Sequence, residues 1–122
     1  MMNETFLFDT YALIEIINKN LNYEPYTKAG IIINDFVFSE YCYLLMRKNV
    51  KDAQNLIDEV SSAIVCPNAE VIKKAMRFRV DNKKKNLSMT DSISYIMAKE
   101  LGVKFLTGDK EFETLDGVEF VK

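Results

Sequence analysis

The chain has 122 residues, with 18 acidic against 16 basic side chains, no histidine, no tryptophan, two cysteines and 48% hydrophobic residues. That describes one ordinary globular domain, residues 1–122, long enough to bury a core without disulfides or a structural metal. The missing histidines exclude Ser-His-Asp and Cys-His nucleophiles, imidazole bases and histidine-based zinc sites, so any catalysis must use carboxylates, amines, hydroxyls or a metal.

Cys42 and Cys66 lie 24 positions apart, too far for a redox CxxC pair, and read as reduced, buried thiols. The N-terminus lacks a basic segment and meets Asp9 after three apolar residues; no run is long and apolar enough to span a bilayer, so a cytoplasmic protein away from membranes is expected. Four glycines, Gly30, Gly102, Gly108 and Gly117, form neither GxGxxG nor GxxxxGK, which removes dinucleotide enzymes and P-loop NTPases.

In chain order, short apolar runs alternate with helical patterns, the signature of βα units around a parallel sheet. Strands are expected at Thr5–Phe8, Gly30–Ile33, Ala63–Val65, Lys104–Thr107 and Val118–Val121, nearly all apolar as in strands buried on both faces. Between them, helices are expected over Thr10–Lys19, Asp35–Lys48, Asp52–Val60, Asn68–Arg79 and Ser88–Leu101. The last opens on a Ser88-Met89-Thr90-Asp91 capping box and stops before Gly102, with Met89, Ile93, Ile96, Met97 and Leu101 as its core stripe.

Charge is uneven. Lys73 to Lys85 holds seven basic residues against the single acid Asp81, a net of +6, while the remainder carries −8. Such a segment reads either as a solvated helix end with a basic loop or as a holder of phosphate groups. It runs straight into Ser88–Asp91.

Four carboxylates stand out. Asp9 ends the first strand and Asp109 follows the fourth; both lie beyond carboxyl ends of parallel strands, where open α/β sheets bind ligands. Each is also a plain cap or turn residue in another reading. Glu40 is the only charged residue in the eleven from Phe36 to Met46; on a buried helix it would need a cation, a metal or Lys/Arg, and the other reading is a pair with Arg47 or a solvated helix edge. Asp91 points away from its helix's apolar stripe, as a solvated capping acid does, but stands in the first turn, where a helix end can face the crevice. Phe36, Phe38 and Tyr43 read as packing residues.

The ordered set is an Asp after strand one (Asp9-Thr10), a Glu inside the second helix (Glu40), an Asp in Leu87-Ser88-Met89-Thr90-Asp91 and an Asp in Phe105-Leu106-Thr107-Gly108-Asp109. It resembles the PIN-domain family, most closely the small VapC-type toxins, from Phe6 to Val121. The resemblance implies a three-layer α/β/α sandwich on a parallel five-stranded sheet of order 3-2-1-4-5. It also implies an acidic pocket for Mg²⁺ or Mn²⁺ formed by Asp9, Glu40, Asp91 and Asp109, with Thr107 as an accompanying hydroxyl. The implied activity is hydrolysis of RNA phosphodiesters, with a homodimer and, for a toxin, an antitoxin partner. Hard divalent cations suit carboxylate oxygens, and the chemistry needs no histidine. Lys83, Lys84, Lys85 and Lys110 are candidates for holding RNA phosphates. An RNA-processing nuclease and a catalytically silent binding module remain open beside the toxin.

Overall fold

A computed structural model describes residues 4–122. Four parallel strands, β1 (Thr5–Phe8), β2 (Gly30–Ile32), β3 (Lys104–Thr107) and β4 (Val118–Phe120), form one sheet in the order β2-β1-β3-β4. The helices are α1 (Thr10–Ile17), α2 (Asp35–Arg47), α3 (Ala53–Ser61), α4 (Ala69–Asp81) and α5 (Met89–Leu101).

Alternation along the strands assigns the layers, because successive side chains leave opposite faces. Phe6 and Phe8 of β1 and Leu106 of β3 face one core with Ala12 and Leu13 of α1, Val37, Tyr41 and Leu45 of α2 and Ile57 and Val60 of α3. Leu7 and Phe105 face the other, with Val71 of α4 and Tyr95, Met97 and Ala98 of α5. The fold is therefore a three-layer α/β/α sandwich, and the near-continuous apolar strands reflect burial on both faces.

The expected third strand, Ala63–Val65, is reduced to one parallel bridge between Ile33 and Ile64, held by Ile33 N–H to the Ala63 carbonyl (3.1 Å) and Val65 N–H to the Ile33 carbonyl (2.8 Å). The segment lies beside β2, as the order 3-2-1-4-5 requires, but four strands form the sheet instead of five. Its alternation stops where Pro67 follows, a residue that cannot donate to a ladder.

Residues Leu21–Lys28 form a 3₁₀ helix with Pro25 inside it, an element whose sequence has no helical periodicity. Its buried Tyr23 and Tyr26 fill the first core, and their hydroxyls donate to the Val121 carbonyl and the Glu119 carboxylate, both at 2.6 Å. The stretch thus closes over the chain's last strand.

Three burial expectations fail. Met89 and Leu101 lie at opposite ends of α5 and are exposed, leaving Ile93 and Met97 as the core of its stripe. Helix α2 is buried only along Val37, Tyr41 and Leu45, while Tyr43 and Met46 are each 62% exposed. Cys66 is exposed and Cys42 half-buried, both as free thiols. Among the described residues no helix is long and apolar enough to cross a membrane.

Candidate active site

The chain goes from β1 to β2 on one side and returns to β3 on the other, so the carboxyl ends of β1 and β3 flank a topological switch point, where α/β sheets open a crevice. Asp9 directly follows β1 and Asp109 stands two residues after β3. Asp9 is 5% exposed and caps α1 through Thr10 N–H to its Oδ1 (2.8 Å); Thr107 Oγ1 donates to its Oδ2 (2.7 Å). Thr107 in turn accepts from Asp109 N–H (3.1 Å), and Asp109 Oδ1 accepts from Glu111 N–H (3.0 Å), capping a short 3₁₀ turn, Lys110–Phe112. One hydroxyl therefore couples the two aspartates. Between them and β3's last residue, Gly108 lies against α1: a Cβ there would collide with the Tyr11 ring and sit 2.6 Å from the Val121 carbonyl oxygen.

Asp91 forms the expected capping box, with Asp91 N–H donating to Ser88 Oγ (3.0 Å) and Ser88 N–H to Asp91 Oδ2 (3.3 Å). It is half-buried instead of fully solvated and lines the same cavity as Asp9 and Glu40. The capping function and the place in the crevice coincide, because a helix's first turn can satisfy its own N–H groups while turning a carboxylate toward the strand ends.

For Glu40 the expected burial fails and the solvated-edge reading holds: it is exposed while lining the cavity, and Thr10 Oγ1 donates to its Oε1 at 2.8 Å. Arg47 packs over the Tyr43 ring, 5.3 Å from its centroid. Thr10 and Asn34 are contributors that sequence reasoning missed. Asn34, fully buried, caps α2 through Val37 N–H (2.9 Å) and donates to Ser94 Oγ of α5 (3.0 Å), fixing the helix bearing Glu40 against the helix bearing Asp91. A Ser/Thr/Asn ahead of a helix signals only a cap; the cross-helix partner has no local sequence signal.

The cavity measures about 580 Å³ and is lined by Asp9, Glu40 and Asp91 with Thr10, Tyr11 and Tyr43 among others; Asp109 lies outside its lining but is close enough for its charge to act on Asp91. Burial pushes the Asp9 carboxyl up to about 7, reinforced by the charge of Asp91 and, less, of Glu40, and opposed by the bonds from Thr107 and Thr10. Burial also raises Asp91, with Asp109 and Glu40 adding to the shift and the bonds to Ser88 opposing it. Among the described residues none of the four acids is in an ion pair.

Concentrated, partly buried negative charge facing no cation fits a divalent metal ion. Among the described residues no three acidic or thiol groups already close on a single point, and each of the four acids has an oxygen engaged by a cap or a hydroxyl. A hard divalent ion such as Mg²⁺, which generally needs few protein carboxylates, is the kind of ion these oxygens would suit.

The end of the basic segment contacts the turn that follows Asp109. Lys83 and Lys84 are exposed, and Lys85 reaches the Glu111 carbonyl (3.4 Å), while Asn86 N–H donates to the Glu111 carboxylate (2.8 Å). The loop into α5 is thereby tied to the turn after Asp109. A second cavity of about 420 Å³ is framed by Arg79, Lys83 and Lys85. Lys110 is exposed beside Asp109.

A parallel sheet between two helical layers, with acids gathered at its switch point, is an architecture of α/β proteins that bind ligands at strand ends. The chain matches the PIN domain over residues 6–118 and belongs to that family. Its fold is similar to a toxin-antitoxin complex from Klebsiella pneumoniae (18% identity, TM-score 0.77, 93% of this chain and 95% of that one). It is similar also to VapC20 of Mycobacterium tuberculosis, a sarcin-ricin loop cleaving toxin (14% identity, TM-score 0.76, 96% and 99%). VapBC2 of Rickettsia felis, bound to a DNA fragment from its promoter, matches at 18% identity and TM-score 0.74 over 97% and 99%. No curated protein matches the sequence.

Proposed function

We propose that the protein is a divalent-metal-dependent endoribonuclease acting through Asp9, Glu40, Asp91 and Asp109, the toxin of a VapBC-type pair. The carrying observation is the convergence of Asp9, Glu40 and Asp91 on one cavity, with Asp109 hydrogen-bonded into the same network through Thr107. Family membership supports the reading, as do the toxin and toxin-antitoxin proteins that share its fold.

A bound Mg²⁺ or Mn²⁺ ion would supply Lewis-acid stabilisation of the phosphoryl charge and a more acidic water. The chain's own residues do the remainder. Asp9, pinned at both oxygens, offers a fixed carboxylate in the cavity lining, and Asp91 and Asp109 complete the negative field that would hold the cation. Glu40, tethered by Thr10 and open to solvent, orients the attacking water and takes up its proton. Thr107 sets the orientation of Asp9. Lys83, Lys84, Lys85 and Lys110 hold flanking RNA phosphates. The exposed acidic opening also suits a basic side chain of an antitoxin, and a homodimer belongs to the same reading.

The test is incubation of total cellular RNA with the protein and Mn²⁺, beside Asp91→Asn and EDTA controls, with new ends mapped by sequencing. Cuts confined to the wild-type metal sample are expected. Cuts that survive both controls, or none together with no carboxylate-dependent Mn²⁺ binding, would overturn the assignment.

A further inference from the structure

Beside Glu40, the face of α2 that borders the cavity carries side chains with no part in holding the metal or activating water. Residues Glu40, Tyr43, Leu44 and Arg47 stand at i, i+3, i+4 and i+7 and therefore share one face of α2. The first three line the acidic cavity. Tyr43 is 62% exposed, in contrast to the packing role its apolar surroundings predict, and Arg47 is the cation stacked on its ring. An aromatic ring left in water beside a charged centre gives up the burial that normally favours it.

The order along this face is carboxylate, aromatic ring, cation. From Glu40 to Arg47 the helix rises about 10 Å. An RNA strand whose scissile phosphate lies among the acids would carry its neighbouring base past Tyr43 and a following phosphate toward Arg47. A planar ring accepts any unpaired base face to face, and a guanidinium pairs with phosphate. At the Arg47 end this face favours a phosphate over a basic peptide, while the acids at the other end attract cations.

We infer that Tyr43, braced by Arg47, stacks the unpaired base next to the cut. The inference rests on the nuclease reading and adds a base-contacting residue to it. Duplex RNA keeps its bases stacked inside the helix and has none to offer.

The experiment measures binding separately from cleavage. A short unstructured oligoribonucleotide carrying 2-aminopurine, and the same strand annealed to its complement, are titrated with Asp91→Asn protein in Mn²⁺, with and without Tyr43→Ala, Tyr43→Phe or Arg47→Ala. The expected result is quenching of the probe on binding, about tenfold weaker single-strand binding and lost quenching for Tyr43→Ala, near-normal behaviour for Tyr43→Phe, and little change for the duplex. Tyr43 is exposed, so circular dichroism should show folded variants.

Equal single-strand affinity for Tyr43→Ala would overturn the inference, as would a Phe variant as weak as the Ala one. It is overturned too if Tyr43→Ala leaves RNA binding intact yet abolishes binding to the protein encoded beside this one, which would make the face a protein-docking surface. Absence of cleavage by the wild type, with the stacking differences present, would instead strike at the nuclease assignment and leave Tyr43's role standing.

Discussion

Replacing Asp9 by Asn should flatten the dependence of stability on pH in metal-free protein. Burial and the neighbouring acids raise folded Asp9 to about 7 from an ordinary 3.8. The folded state then holds a proton that the unfolded state releases, so stability is fully present below about pH 4 and is lost as pH rises toward and through 7. Across the whole window the shift corresponds to about 4 kcal/mol. Between about pH 5 and about pH 8 more than half of it disappears, which for a domain of this size lowers Tm by roughly 10 °C. The assay is thermal unfolding in EDTA at both pH values, for wild type and Asp9→Asn, repeated in Mg²⁺. The variant should lose most of the wild-type decline, and Mg²⁺ should restore the wild type at the higher pH, because a cation stabilises the ionised carboxylate. An Asp9→Asn decline as steep as the wild type's would show that Asp9 is not the group storing this cost.

Thr10→Val keeps the side-chain shape but frees Glu40, and should reduce cleavage at least tenfold while costing only about 1 kcal/mol of stability; unchanged kcat would mean the tether is idle. Asn34→Ala removes a buried cap and the bond to Ser94, and should cost about 2 kcal/mol in urea unfolding, with a loss under about 0.5 kcal/mol arguing that α2 and α5 are held by packing alone. Substituting Lys83, Lys84 and Lys85 together by Ala should weaken RNA binding and lower the salt slope by up to about 2, each single-strand phosphate contact contributing roughly 0.7; an unaltered slope removes these lysines from the interface. Gly108→Val should destabilise strongly, since its side chain meets the Tyr11 ring, and a wild-type melting curve would show the turn can yield.

Much of the sheet is legible in the sequence because β1 and β3 are apolar on both faces, and the α5 boundaries because Ser88, Asp91 and Gly102 encode their own caps. What escapes is set by distant contacts. The Ala63–Val65 run has strand-like residues but only one partner, Ile33, so local pattern overstates its pairing. The 3₁₀ helix at Leu21–Lys28 is fixed by tyrosine bonds to residues more than 90 positions away. Glu40 stands out through its apolar neighbours, which overstate its burial: half of α2 faces solvent, with Tyr43 and Met46 exposed. Asp91 is legible as a cap, whereas its place beside Asp9 depends on how α5 packs.

The Thr107 to Asp9 hydrogen bond joins residues 98 positions apart, and β1 pairs on one flank with β3, which follows it by almost the same distance. During synthesis Asp9 emerges with β2 as its first available neighbour strand, while the hydroxyl that orients it and the acid coupled to it through that hydroxyl follow only after all five helices. A chain that stops short of Thr107 therefore cannot assemble the centre. The acidic site comes into being only when the rest of the fold is already in place around it.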